Sequence, residues 1–117
     1  MRWNFRLRTL LVAVAIVSAI CGMIVRATAE RRRVSFRQRA ESFAYGEADV
    51  IDQIADKLAS ARREEAEGPA GLTRAALLRL EAEKLARVAA WHVKMERRYA
   101  RAAEHPWEPL APVPPQP

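Results

Sequence analysis

The stretch Thr9-Leu10-Leu11-Val12-Ala13-Val14-Ala15-Ile16-Val17-Ser18-Ala19-Ile20-Cys21-Gly22-Met23-Ile24-Val25 carries no charge and no proline. Nine of its positions are Leu, Val or Ile, which together favour membrane insertion by about 3–5 kcal/mol and outweigh Ser18 and Gly22. Seventeen residues at the helical rise reach about 25 Å, slightly short of a hydrocarbon core of about 30 Å. Arg8 and Arg26 flank the run, where their long side chains can reach the headgroups, and Trp3 and Phe5 suit the interface. The run predicts a transmembrane helix over residues 9–25, preceded by a basic N-tail over residues 1–8.

A cleaved leader is the competing reading. Arg2, Arg6 and Arg8 form a positive n-region, and Ala27-Thr28-Ala29 has the small-x-small form of a cleavage site. Against it, the apolar run is long, Arg26 lies between the run and that site, and Glu30-Arg31-Arg32-Arg33 follows, where positive charge resists translocation. Lipid attachment at Cys21 would need a small residue before it, and Ile20 stands there. Six arginines follow the run within 14 residues and three precede it, so the bias predicts the N-tail outside and the C-terminal part in the cytoplasm.

The net charge of +6 is strongly segregated. Residues 1–8 carry +3, residues 26–39 carry +5, residues 40–67 carry −5 and residues 72–105 carry +4, with Glu108 completing the balance. Beyond the span the chain is rich in Ala, Arg, Glu, Leu and Lys, a composition of long helices, and its roughly 90 residues can bury only a thin core. Gly68-Pro69-Ala70-Gly71 divides it, a helix stop and restart. In the juxtamembrane basic segment and first helix, residues 26–67, Ala40, Phe43, Val50, Ile54 and Ala61 keep a 3-4 spacing, with Glu47 and Lys57 on the same stripe. In the second, residues 72–105, Leu78, Leu85, Val88, His92, Met95, Tyr99 and Ala102 do likewise, interrupted by Glu81. Narrow seams of this coiled-coil kind want one partner helix each, and a short connection between blocks of opposite charge predicts an antiparallel hairpin. A homodimer of continuous helices would satisfy the same pattern. The expected fold is therefore mainly α: one transmembrane helix, two long amphipathic helices and a proline-rich tail over residues 106–117.

No constellation for chemistry stands out. His92 and His105 have no metal-ligand spacing, Cys21 is the single cysteine, and there is no nucleophile elbow or phosphate loop. The sequence predicts no enzyme, no catalytic residues, no cofactor and no metal. The basic cluster Arg26, Arg31, Arg32, Arg33, Arg37 and Arg39 fits a stop-transfer signal that attracts anionic lipid. It has only Phe36 as an interleaved aromatic, which argues against nucleic acid. Within the span, Ser18 and Gly22 stand in a small-x-x-x-small relation that permits close approach of a second copy, hence a homo-oligomer.

Phe5-Arg6-Leu7-Arg8-Thr9-Leu10-Leu11 at one end, and Ala90-Trp91-His92, Arg98-Tyr99, Ala102-Ala103 and Pro106-Trp107-Glu108-Pro109 at the other, resemble a group of short bacterial single-span membrane proteins without an established activity. The resemblance leaves residues 40–75 uncovered and implies no catalytic residue. It directs attention to the tail, which holds six of the seven prolines. In polyproline II, residues three apart share an edge, which would line up Trp107, Leu110 and Val113 as a docking strip for a protein partner. Alternatively, Trp107 anchors the tail by folding back on the second helix near Tyr99 or Ala103. The leading functional expectation is a membrane-anchored interaction or scaffold module. Its rivals are an anionic-lipid or nucleic-acid binder through Arg26–Arg39, and an exported protein with a cleaved leader.

Overall fold

The structure, a computed structural model, describes the backbone of residues 2–117 and the side chains of residues 6–117; Trp3 and Phe5, read above as interfacial, fall outside the described side chains. It consists of two helices, α1 (Arg2–Ala66) and α2 (Pro69–Glu104), followed by an irregular tail. The sequence predicts a transmembrane helix and a separate amphipathic helix where the structure has one unbroken helix of 65 residues. The reason is local. Between Arg26 and Ala66 there is no proline and one glycine, Gly46, so nothing in Ala-, Arg- and Glu-rich sequence stops propagation. Thr28, the β-branched residue after the apolar run, donates its hydroxyl to the carbonyl of Ile24 at 2.9 Å, a bond compatible with uninterrupted helix.

The two helices break only at Glu67 and Gly68, a tighter junction than the four-residue connection predicted. Gly68 has φ +106°, a conformation that glycine adopts without a Cβ penalty. Pro69 opens α2 at a position where its missing N–H costs nothing. Gly71 is a packing residue of α2's first turn: a Cβ there would run into the carbonyl oxygen of Glu64, so the helices can approach this closely only at glycine.

Pairing is antiparallel, with Glu64 opposite Arg74 near the turn, Lys57 opposite Glu81, Phe43 beside His92, and Phe36 beside Tyr99. The α1 stripe lies in the seam as expected: Ala40, Val50 and Ala61 are buried, and Phe43, Glu47, Ile54 and Lys57 are half-buried. On α2 the seam is centred on smaller residues than the predicted leucine stripe, since Gly71, Ala75, Ala82 and Ala103 are buried with Met95 and Tyr99, while Leu78, Leu85 and Val88 are half-buried at its edge. The two charges that interrupted the stripes, Lys57 and Glu81, meet each other at 2.6 Å. The Lys57 ammonium, by hydrogen bond and then by its charge, holds the Glu81 carboxyl below its ordinary range.

The N-terminal part of α1 belongs to none of this packing. Every described side chain from Arg6 to Thr28 is exposed, including Leu10, Leu11, Ile16, Ile20 and Ile24. It is the one helix among the described residues long and apolar enough to cross a membrane, and it projects from a molecule 102 Å long and 19 Å wide.

Candidate functional site: the root of the hairpin

Antiparallel pairing returns the end of α2 to the level of the basic segment of α1. Arg33 marks the meeting point. Its Nε donates to the carbonyl of Ala103 at 3.2 Å, across 70 residues, while its Nη1 lies 3.5 Å from Glu30. Ala103 is in the last turn of α2, where carbonyls lack helical partners and the helix dipole presents partial negative charge, so this arginine caps the partner helix.

Above this contact sits the aromatic core. Phe36, Ala40, Tyr99 and Ala103 form its buried cluster, with Phe43, Ala102 and Leu110 packed against it. Phe43 and Tyr99 stack at 5.5 Å and 9° between planes, and Trp91 meets Phe43 edge-on at 5.4 Å. Arg32 lies over Phe36 at 5.8 Å and Arg39 over Tyr99 at 5.6 Å, distances at which a cation is attracted to a ring face. His92 lies half-buried in the seam as expected, its ring facing the space left by Gly46: a Cβ on that glycine would be 2.8 Å from its Cε1. Of the six arginines predicted as one lipid-facing cluster, Arg33 bonds across to α2, Arg39 lies over Tyr99 of α2 and Arg32 lies over Phe36 of its own helix, and all but the half-buried Arg33 are exposed.

The tail is pinned, and by a different residue from the one the sequence suggested. Pro106 is fully buried, whereas Trp107, expected as the anchor, is 66 % exposed and touches His105 edge-on at 5.8 Å. Proline cannot continue α2, and a turn closed by Glu108 N–H to the His105 carbonyl at 3.1 Å reverses the chain. The tail then runs back along α2. Leu110 joins the aromatic cluster, Arg98 Nη1 donates to the Pro112 carbonyl at 2.9 Å, and Trp91 Nε1 donates to the Pro114 carbonyl at 3.1 Å. Proline supplies a carbonyl and no N–H, so a proline-rich strip can be held by donors on one side alone. Of the proposed strip Trp107, Leu110 and Val113, Leu110 is occupied in the fold, and Trp107 and Val113 face outward.

Two open grooves flank the root. One, of about 510 Å³, is lined by Arg33, Arg37, Glu41, Ala100, Ala103 and Glu104; the other, of about 350 Å³ between α2 and the tail, by Arg98, Arg101, His105, Glu108 and Leu110 among others. Among the described residues no group of His, Cys, Asp or Glu could hold a metal ion. The chemistry available here is that of cations, aromatic rings and a helix end. No protein family, curated protein or solved structure matches the chain.

Proposed function

We propose that this chain is a non-enzymatic scaffold, anchored by one membrane span at residues 9–25, that presents its helical hairpin to a protein partner on the cytoplasmic side. The observation that carries the reading is the position of Leu77 and Leu80, 58 % and 46 % exposed, on α2. Three residues apart, they share one helix face, and Leu72, five residues before Leu77 and on a different face, is exposed as well. They lie toward the end of the hairpin away from the apolar segment, and α1 rises about 60 Å from Arg26 to that tip if it leaves the bilayer upright. Large aliphatic side chains exposed side by side at that distance from lipid suit a contact with another protein, and the unbroken α1 would fix its height.

Photo-crosslinking from Leu77 and Leu80 in membranes tests this. Discrete adducts from both positions, lost when the other leucine is replaced by serine, support the scaffold; an absence of adducts from both while the protein is inserted contradicts it. Fusing a phosphatase active only outside the cytoplasm to the C-terminus tests orientation, and strong activity would reverse it. An anionic-lipid reading through Arg26, Arg31 and Arg37 has its own support in their exposure beside the span, and it is compatible with the scaffold. Self-association through the Ser18–Gly22 face rests on the small-x-x-x-small relation of those two residues. A mature chain lacking its first 29 residues would replace the anchored reading by the exported one.

A further inference from the structure

We infer that the corner His105–Glu108 is a second membrane contact, with Trp107 as an interfacial anchor set among lipid headgroups of the leaflet from which α1 emerges. The inference rests on the span reading above and adds to it a site supplied by the opposite end of the chain.

Val25 ends the apolar run, and Arg33 is eight residues further along an unbroken helix, about 12 Å. The run is about 5 Å shorter than the hydrocarbon core, so the boundary lies a few ångströms beyond Val25 and Arg33 stands about 9 Å outside it. The headgroup layer is about 5–8 Å thick on each side. Arg33 bonds to Ala103, which places the last turn of α2 at that height. The chain continues toward the bilayer through Glu104 and His105 and then turns, because Pro112 and Pro114 are tied to Arg98 and Trp91, progressively further up α2. His105–Glu108 is therefore the lowest point of the returning chain, and one or two residues below Ala103 brings it within the headgroup layer.

The residue at that corner is chemically apt. Trp107 is 66 % exposed in a molecule whose other described tryptophan, Trp91, is half-buried and hydrogen-bonded. The bilayer interface suits an exposed indole, taking its apolar body and leaving its N–H among polar headgroups. Exposed cations lie near the corner on both legs, Arg31 and Arg37 on α1 and Arg97 and Arg101 on α2, against the carboxylates of Glu30, Glu104 and Glu108, so the indole and not the charge balance singles out the corner. Burial of Pro106 and the bonds to the tail hold the corner without help from Trp107, which leaves its side chain free for lipid.

The test uses the full chain reconstituted in vesicles of phosphatidylcholine with phosphatidylglycerol, with Trp107 as sole tryptophan in Trp3→Phe/Trp91→Phe. Lipids brominated near the top of the acyl chain should cause a loss of Trp107 emission, and lipids brominated near the chain end should cause less. In Trp3→Phe/Trp107→Phe, Trp91, more than two helical turns higher, should keep its emission with either. Because Trp91→Phe removes a bond to the tail, a second probe leaves all tryptophans in place: a nitroxide at Glu108→Cys in Cys21→Ser should be shielded from a water-soluble nickel relaxant relative to one at Asp56→Cys. A chain that resists alkaline extraction but shows neither quenching nor shielding overturns the corner contact and leaves the span standing. A chain extracted by alkali overturns both.

Discussion

Residues 9–25 and residues 33–66 belong to the same helix, yet they solve opposite problems. In the first, every side chain is exposed and none is charged; in the second, most charged side chains face outward, and Phe36, Ala40, Phe43, Val50, Ile54 and Ala61 face α2 together with the half-buried Glu47 and Lys57. Helix formation is common to both because neither contains a stop, while the surroundings each needs are set entirely by side chains. The comparison teaches that a helix boundary and a solvent boundary need not coincide: the polarity of α1 changes at Arg26 and its backbone does not.

Substitutions in the hairpin should therefore leave membrane integration untouched, and the largest such effect is expected at Gly71. Gly71→Val places a side chain against the Glu64 backbone, which cannot yield cheaply, and should cost about 3 kcal/mol or more of hairpin stability by overpacking. Thermal unfolding followed by near-ultraviolet circular dichroism in micelles reads the loss, with alkaline extraction unchanged. Met95→Ala comes next. Its side chain has no exposure, and truncation should cost about 2–4 kcal/mol through lost transfer energy and a residual cavity.

A smaller effect is expected in the tail. Leu110→Ser removes a side chain from the aromatic cluster and should cost about 1–2 kcal/mol, whereas Val113→Ser, at an exposed position, should lie within about 0.5 kcal/mol. Equal and negligible effects on unfolding would mean that the tail is not part of the fold and would return it to the role of a free docking strip.

The smallest effect concerns pH. Lys57 holds the Glu81 carboxyl below its ordinary range. A depressed folded value gives stability that is present above the unfolded value and is lost as pH falls through the folded one. Both side chains are about half-exposed, so solvent screens the pair and the slope is shallow. Lys57→Met should flatten that slope on the acid side in denaturation series, leaving neutral stability nearly the same.

How much of this was legible differs between the regions. The apolar run is legible because seventeen consecutive uncharged residues, nine of them Leu, Val or Ile, make the helix long and apolar enough to cross a membrane. The α1 stripe was legible through Phe43, Val50 and Ile54, whose size marks a face. Ala75, Ala82 and Ala103 were not, since alanine occurs throughout the chain and becomes a core residue only where a neighbouring helix comes close. Gly71 reads as loop from sequence because it closes the cluster Gly68-Pro69-Ala70-Gly71, and only its closeness to Glu64 reveals a packing role. The root of the hairpin was the least legible part. Arg33, Trp91 and Arg98 all donate to backbone carbonyls, acceptors that every residue offers and that leave no mark in composition or spacing. The expectation that Trp107 anchors the tail failed for a related reason: size and hydrophobicity favoured it, but chain reversal after α2 buries Pro106 and turns the indole outward.

The most direct test of the whole account is a distance across the polarity boundary. Nitroxides at Val17→Cys and Glu41→Cys, both exposed positions of α1, in a Cys21→Ser chain in lipid nanodiscs, are 24 residues apart. An unbroken helix predicts one narrow distribution near about 36 Å by electron double resonance. A broad distribution displaced to shorter distances would mean that the chain bends where it leaves the apolar segment, and would contradict the account.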